Sequence, residues 1–83
     1  MTTDDILRTV TEIAVAETGL SASELTPDAD LRAMAGVDSV RVLRMIARIE
    51  RTYDIELEDE DVFGTATLAE VAVVVGRALQ DAA

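Results

Sequence analysis

From Ser39 to about Thr52 the apolar and the charged residues separate onto two sides of a helix, and that separation limits how the rest of the chain can fold. At about 100° per residue, Val42, Ile46, Ile49 and Tyr53 fall within one narrow sector, with Leu43 and Met45 on its flanks. Arg41, Arg44, Arg48 and Arg51 fall together on the opposite side, at spacings of three, four and three. Val40 and Ala47 sit beside the arginines and not on the core side, so two apolar residues are left facing water. The aliphatic sector needs cover, and the other segments must supply it.

Those segments have little except aliphatic side chains to offer. The 83 residues, read as one domain spanning 1–83, include one Tyr, one Phe and no Trp, so a core must be built from Leu, Ile, Val, Ala and Met. Such a composition favours helices packed on helices. A first helix is expected from about Asp4 to Thr18. Thr2 or Thr3 caps it, Asp4 and Asp5 lie at the positive end of its dipole, and Gly19 stops it. Ile6, Val10, Ile13 and Leu20, with Leu7 and Ala14, give it one apolar face, while Arg8, Glu12 and Glu17 stay wet. A last helix is announced by the capping pair Thr67 and Glu70 and runs to about Gln80. Its apolar face is Leu68, Val71, Val75, Ala78 and Leu79. Three consecutive valines make it dependent on tertiary packing, and Gly76 weakens it or lets a neighbour approach closely.

Between the helices the chain punctuates itself. Residues 19–38 read as a long connection containing the only proline, Pro27, with Leu20, Leu25 and Leu31 spaced to pin it down and a short turn possible from Ser21 to Leu25. The acidic run from Glu56 to Asp61 does not meet the spacing of a calcium loop, since no glycine occurs before Gly64. A short helix near Asp59–Phe63, with Val62 and Phe63 turned inward, accounts for it better. The architecture expected is all-α, a four-helix bundle of three long helices and one short one.

Charge and composition exclude several kinds of function. Acids outnumber bases by 17 to 7 and the net charge is −10, which makes nucleic acid an unsuitable partner. The charge is uneven: residues 1–38 hold eight acids and two bases (−6), 39–53 one acid and four bases (+3), and 54–83 eight acids and one base (−7). Absence of Cys and His removes disulfides, the usual zinc sites and the Ser-His and Cys-His nucleophilic pairs. An enzyme is not expected, nor a bound metal. The polar, acidic start lacks the regions of a signal peptide, and no apolar run approaches a membrane span, so the expectation is a cytoplasmic, monomeric protein without membrane contact.

The chemistry concentrates at Ala35-Gly36-Val37-Asp38-Ser39-Val40, where the long connection ends and the basic helix begins. Asp38 and Ser39 can both accept hydrogen bonds from first-turn amides, so capping alone would explain them. Gly36 before the pair and an aliphatic residue after it add context. Together with the four-helix pattern over nearly the whole chain, these residues resemble the attachment motif of the acyl and peptidyl carrier proteins, Gly-x-Asp-Ser followed by an aliphatic residue.

The resemblance implies that Ser39 bears a 4'-phosphopantetheine arm, that Asp38 and Gly36 are its motif neighbours, and that Val40 contacts partners. Tyr53-Asp54 matches an aromatic-Asp pair of the family. The arm would come from coenzyme A, moved with magnesium by a phosphopantetheinyl transferase, because the chain has no base to activate a weak hydroxyl nucleophile. Its phosphodiester would lie at a helix N-terminus, which favours an anion. A discrete carrier of acyl or aminoacyl thioesters follows, serving loading, synthase and tailoring enzymes of fatty-acid, polyketide or nonribosomal peptide biosynthesis. Two departures stand out: Ala35 where the family often has Leu, and a basic helix where the family's is often acidic. Val40, Arg41, Arg44, Ala47 and Arg48 are the expected docking face. Two other readings stay open on the residues alone: a small helical interaction module in which Asp38-Ser39 is only a cap, and a metal-responsive switch.

Overall fold

A computed structural model describes residues 2–34 and 37–82, and its elements are helical throughout: α1 (Thr3–Thr18), a 3-10 turn (Leu31–Ala33), α2 (Ser39–Tyr53), α3 (Asp59–Phe63) and α4 (Leu68–Ala82). Ala35 and Gly36, part of the motif read from the sequence, lie outside the described residues, as does the side chain of Phe63. Three long helices and one short one agree with the expected bundle. No helix among the described residues is long and apolar enough to cross a membrane.

Local chemistry sets the ends of each helix. Thr2 caps α1 in a closed box: its hydroxyl accepts from the Asp5 N–H at 3.1 Å, and the Asp5 carboxylate accepts from the Thr2 N–H at 3.3 Å. Gly19 ends α1 in the left-handed region at φ 75°, where a side chain would be strained, and its N–H reaches the Val15 carbonyl. At the start of α4 the Thr67 hydroxyl accepts from the Glu70 N–H. The Glu70 carboxylate turns back to that hydroxyl at 3.3 Å, a variant of the expected box.

Helix α1 packs against both α4 and α2. Its Ile6, Val10, Ile13 and Ala14 join Met45, Ile46 and Ile49 of α2 and Leu68, Val71, Ala72 and Val75 of α4 in one aliphatic core. Every buried residue among those described is hydrophobic. The long connection adds Leu25 and Leu31 to that core, as their spacing predicts. It is also stitched to the α3–α4 link through backbone. The Leu31 N–H donates to the Ala66 carbonyl at 2.9 Å, the Ala69 N–H donates to the Pro27 carbonyl at 3.2 Å, and Arg32 Nη2 reaches the Thr65 carbonyl at 3.1 Å. Such bonds give backbone groups of the connection their partners with only one short turn of regular structure in it.

One expectation about α2 needs correcting. Leu43 and Met45 are both expected on the flanks of the core sector, but Met45 is buried and Leu43 is 56% exposed. The Glu17 contacts with Arg41 and Arg48 put the end of α1 on the Met45 side, so burial centres there and leaves Leu43 outward. Arg41 and Arg48 share the Met45 side on the helical wheel.

Candidate functional site

The start of α2 is built by a series of tight turns that deliver Asp38 in extended conformation. Asp30 caps the 3-10 turn through the Arg32 N–H at 3.0 Å, the Met34 N–H returns to the Leu31 carbonyl, and the Val37 N–H returns to the Met34 carbonyl. Asp38, at φ −119° and ψ 174°, is the N-cap, and its Oδ1 accepts from the Arg41 N–H at 2.8 Å. The helical ladder opens with the Val42 N–H donating to the Asp38 carbonyl. The amides of Ser39 and Val40 therefore have no acceptor inside the helix and lie at the positive end of its dipole.

Ser39 is the first helical residue and is exposed, and among the described residues nothing hydrogen-bonds its hydroxyl. Capping, the ordinary employment of a serine at this place, is done by Asp38. An open cleft of about 450 Å³ adjoins the pair. Ser39 and Asp38 contribute to its wall together with Leu31, Val37, Val42, Ile46 and Val62, so a polar corner opens onto an aliphatic trough.

The five residues expected to dock partners divide into two groups. Val40, at 56% exposure, Arg44 and Ala47 face water, and Arg44 makes no ion pair with any described residue. Arg41 and Arg48 are occupied: Arg41 Nη1 donates to the Glu17 carbonyl at 2.8 Å, and Arg48 Nη1 lies 3.1 Å from Glu17 Oε1. Glu17, expected to stay wet, is the residue the sequence reading missed. A signal for it existed. An acid in the last turn of α1 sits at the negative end of the helix dipole, where it is unfavourable unless a cation offsets it. Glu50 was also passed over; its Oε2 accepts from the Leu57 N–H at 3.0 Å and fixes the chain leaving α2. Asp54 ends α2 in the left-handed region at φ 55°, a conformation that Asp tolerates better than most residues. That gives the Tyr53-Asp54 pair a structural use.

Among the described residues no group of acids is arranged to hold a metal ion. Comparison with known proteins points to a covalently attached group. A family model described as "Phosphopantetheine attachment site" matches residues 8–75. Over 75 residues, covering 90% of this chain and 95% of the relative, the chain is 33% identical to an acyl carrier protein of an Exiguobacterium species, strain AT1b.

Proposed function

The chain belongs to the phosphopantetheine-attachment family of acyl carrier proteins, and from that premise we propose that Ser39 is the residue to which the arm is joined. Members of this family are carriers without catalytic activity, their cofactor is 4'-phosphopantetheine, and they work with phosphopantetheinyl transferases and biosynthetic enzymes. The observation that carries the assignment is the free, exposed hydroxyl of Ser39 at the first position of α2, with the capping role already filled by Asp38. Ser21 and Ser23 are committed to each other and to a turn in the connection, with their hydroxyls 2.9 Å apart and that of Ser21 accepting from the Glu24 N–H.

The residues present fit such a group. Ser39 supplies an unhindered oxygen, the Ser39 and Val40 amides are free to receive a phosphodiester, and Arg44 adds positive charge on the same helix. With no His or Cys in the chain to activate Ser39 Oγ, the transferase supplies the base that takes its proton as the new P–O bond forms, the pyrophosphate P–O bond of coenzyme A breaks and 3',5'-ADP leaves. When attached, the arm supplies the thiol on which a carboxylic acid is held as a thioester. The reading extends to an acyl cargo in fatty-acid or polyketide type biosynthesis. It is supported by the similarity to an acyl carrier protein and by the aliphatic trough beside Ser39.

Intact-mass measurement after incubation with coenzyme A, magnesium and a broad-specificity phosphopantetheinyl transferase tests the assignment. The wild-type chain should gain one phosphopantetheine, and Ser39→Ala none, with helix content unchanged. Modification that persists in Ser39→Ala would remove the assignment.

A further inference from the structure

Resting on that reading of Ser39, we infer that α2 docks its transferase through a strip of Val40, Leu43, Arg44 and Ala47, and that the docking surface of this transferase presents carboxylates around an apolar recess. The four positions follow the spacing i, i+3, i+4 and i+7, so they form one continuous outward face that begins beside Ser39. Val40 and Leu43 are each 56% exposed, more than any other large hydrophobic among the described residues, and they lie within one turn of each other. Isolated exposed aliphatic residues need no explanation, but two together at the rim of a functional serine mark a contact surface.

Charge selects the partner. Arg44 stands inside the strip with no acid among the described residues to neutralise it, whereas Arg41 and Arg48 are turned to Glu17 at the end of α1. The strip thus offers apolar surface and an unspent guanidinium, while the chain on either side of α2 carries −6 and −7. A basic enzyme surface would find its best field away from this strip. An acidic one gains at this strip. Long-range repulsion from the net charge of −10 does not prevent this, because at physiological salt charges more than about 8 Å away are largely screened, and a contact at Arg44 is not. Complementary charge mainly sets encounter rate and partner choice, and buried apolar contact holds the docked pair. Arg41 and Arg48 are accordingly assigned to positioning α2 on α1, not to docking.

The test uses the phosphopantetheinyl transferase of the host that makes this chain, with kcat/KM for Ser39 modification measured at about 50 and about 500 mM sodium chloride. The variants are Arg44→Glu, Arg44→Ala, Leu43→Ala and Arg48→Gln, each checked for unchanged circular dichroism. Ratios to wild type cancel the common repulsion. Arg44→Glu should lose about tenfold or more at low salt and markedly less at high salt, with Arg44→Ala between it and wild type. Leu43→Ala should lose activity at both salts, and Arg48→Gln should stay within about twofold of wild type while melting earlier. Equal or faster modification of Arg44→Glu at low salt would overturn the inference, pointing to a basic or indifferent partner surface. A wild-type dimer in sedimentation that Leu43→Ala and Arg44→Glu abolish would overturn it too, by giving the strip to a second copy of the chain. Failure of the underlying reading looks different: wild type itself would gain no mass at Ser39 with any transferase.

Discussion

Arg48 Nη1 lies 3.1 Å from Glu17 Oε1, so the middle of α2 is tied to the last turn of α1, and Arg41 adds a second tie to the Glu17 carbonyl at 2.8 Å. The side chains of Arg48 and Glu17 are 43% and 18% exposed, so water screens much of their attraction. Exposed pairs of this kind are worth about 0.2–1 kcal/mol. A double-mutant cycle with Glu17→Gln and Arg48→Gln, read by urea denaturation, should give a coupling in that range that shrinks as salt is added. A coupling indistinguishable from zero at low salt would show that the tie contributes no stability.

Asp38 and Ser39 are neighbours with different physical duties. Asp38 Oδ1 takes the Arg41 N–H at 2.8 Å, so Asp38→Ala should cost about 0.5–2 kcal/mol and Asp38→Asn, which keeps an acceptor, considerably less. Ser39→Ala removes a hydroxyl that no described residue engages and should stay within about 0.5 kcal/mol of wild type. Equal losses in urea midpoint for Asp38→Ala and Ser39→Ala would contradict this division.

What could be read from the sequence follows from the range of the forces involved. Helix ends were legible because caps are local: Thr2, Gly19 and Asp38 act within a turn of the backbone groups they satisfy, although the choice of Thr2 over Thr3 and the part of Asp5 in the box came only with the structure. The place of Ser39 at the first turn of a helix was legible for the same reason, with Asp38 before it and a helix after it. The facing of α2 was not. Periodicity gives the angle between Leu43 and Met45 but not the side on which α1 lies, and that tertiary choice buries one and exposes the other. Glu17 finds Arg41 and Arg48 across 24 and 31 residues, a pairing that no local pattern specifies. The 3-10 turn at Leu31–Ala33 is too short to show a period at all.

Leu25 belongs to the connection, yet it is 1% exposed and among the largest fully buried side chains. Leu25→Ala should therefore behave as a core truncation, costing about 2–5 kcal/mol. Native domains hold about 5–15 kcal/mol, and small ones sit low in that range, so this variant should melt at a much lower temperature and with a shallower transition. Val73→Ala on α4, where the side chain is 46% exposed, should change stability by no more than about 0.5 kcal/mol. A small effect at Leu25 would mean that the connection is not pinned to the core in solution.

The capping box of α1 carries a pH dependence whose sign can be worked out. The Asp5 carboxyl is held below its ordinary value first by the Thr2 side chain, then by the Thr2 backbone N–H, with a further contribution from Arg8. A group whose folded pKa is depressed contributes stability that is complete above its unfolded value and is lost as pH falls through the folded value. The window therefore opens near the ordinary Asp value of about 4 and runs downward. In urea midpoints measured across that window, wild type should fall faster with acid than Asp5→Asn. Parallel curves would mean that the carboxylate form adds nothing to the box.

Gly76 lies within α4 opposite Ile6, and its lack of a side chain could reflect a need for close approach or could be a plain weakness in the helix. The geometry decides between them. A Cβ placed on Gly76 would meet Ile6 Cδ1 at 3.8 Å, an ordinary van der Waals contact, with no other non-local atom nearer. Glycine inside a helix costs about 0.5–1 kcal/mol relative to alanine, mainly through the freedom its backbone regains on unfolding. Gly76→Ala should therefore stabilise the protein by about that amount, with the new methyl group also covering part of Ile6. For a domain of this size each 1 kcal/mol moves the melting temperature by about 4–8 °C, so a rise of about 2–8 °C is expected. Gly76→Val should gain less or lose, since its branched carbons reach past 3.8 Å into the Ile6 side chain and β-branching is mildly unfavourable in a helix. A lower melting temperature for Gly76→Ala would show that α1 and α4 pack more closely in solution than the 3.8 Å spacing allows.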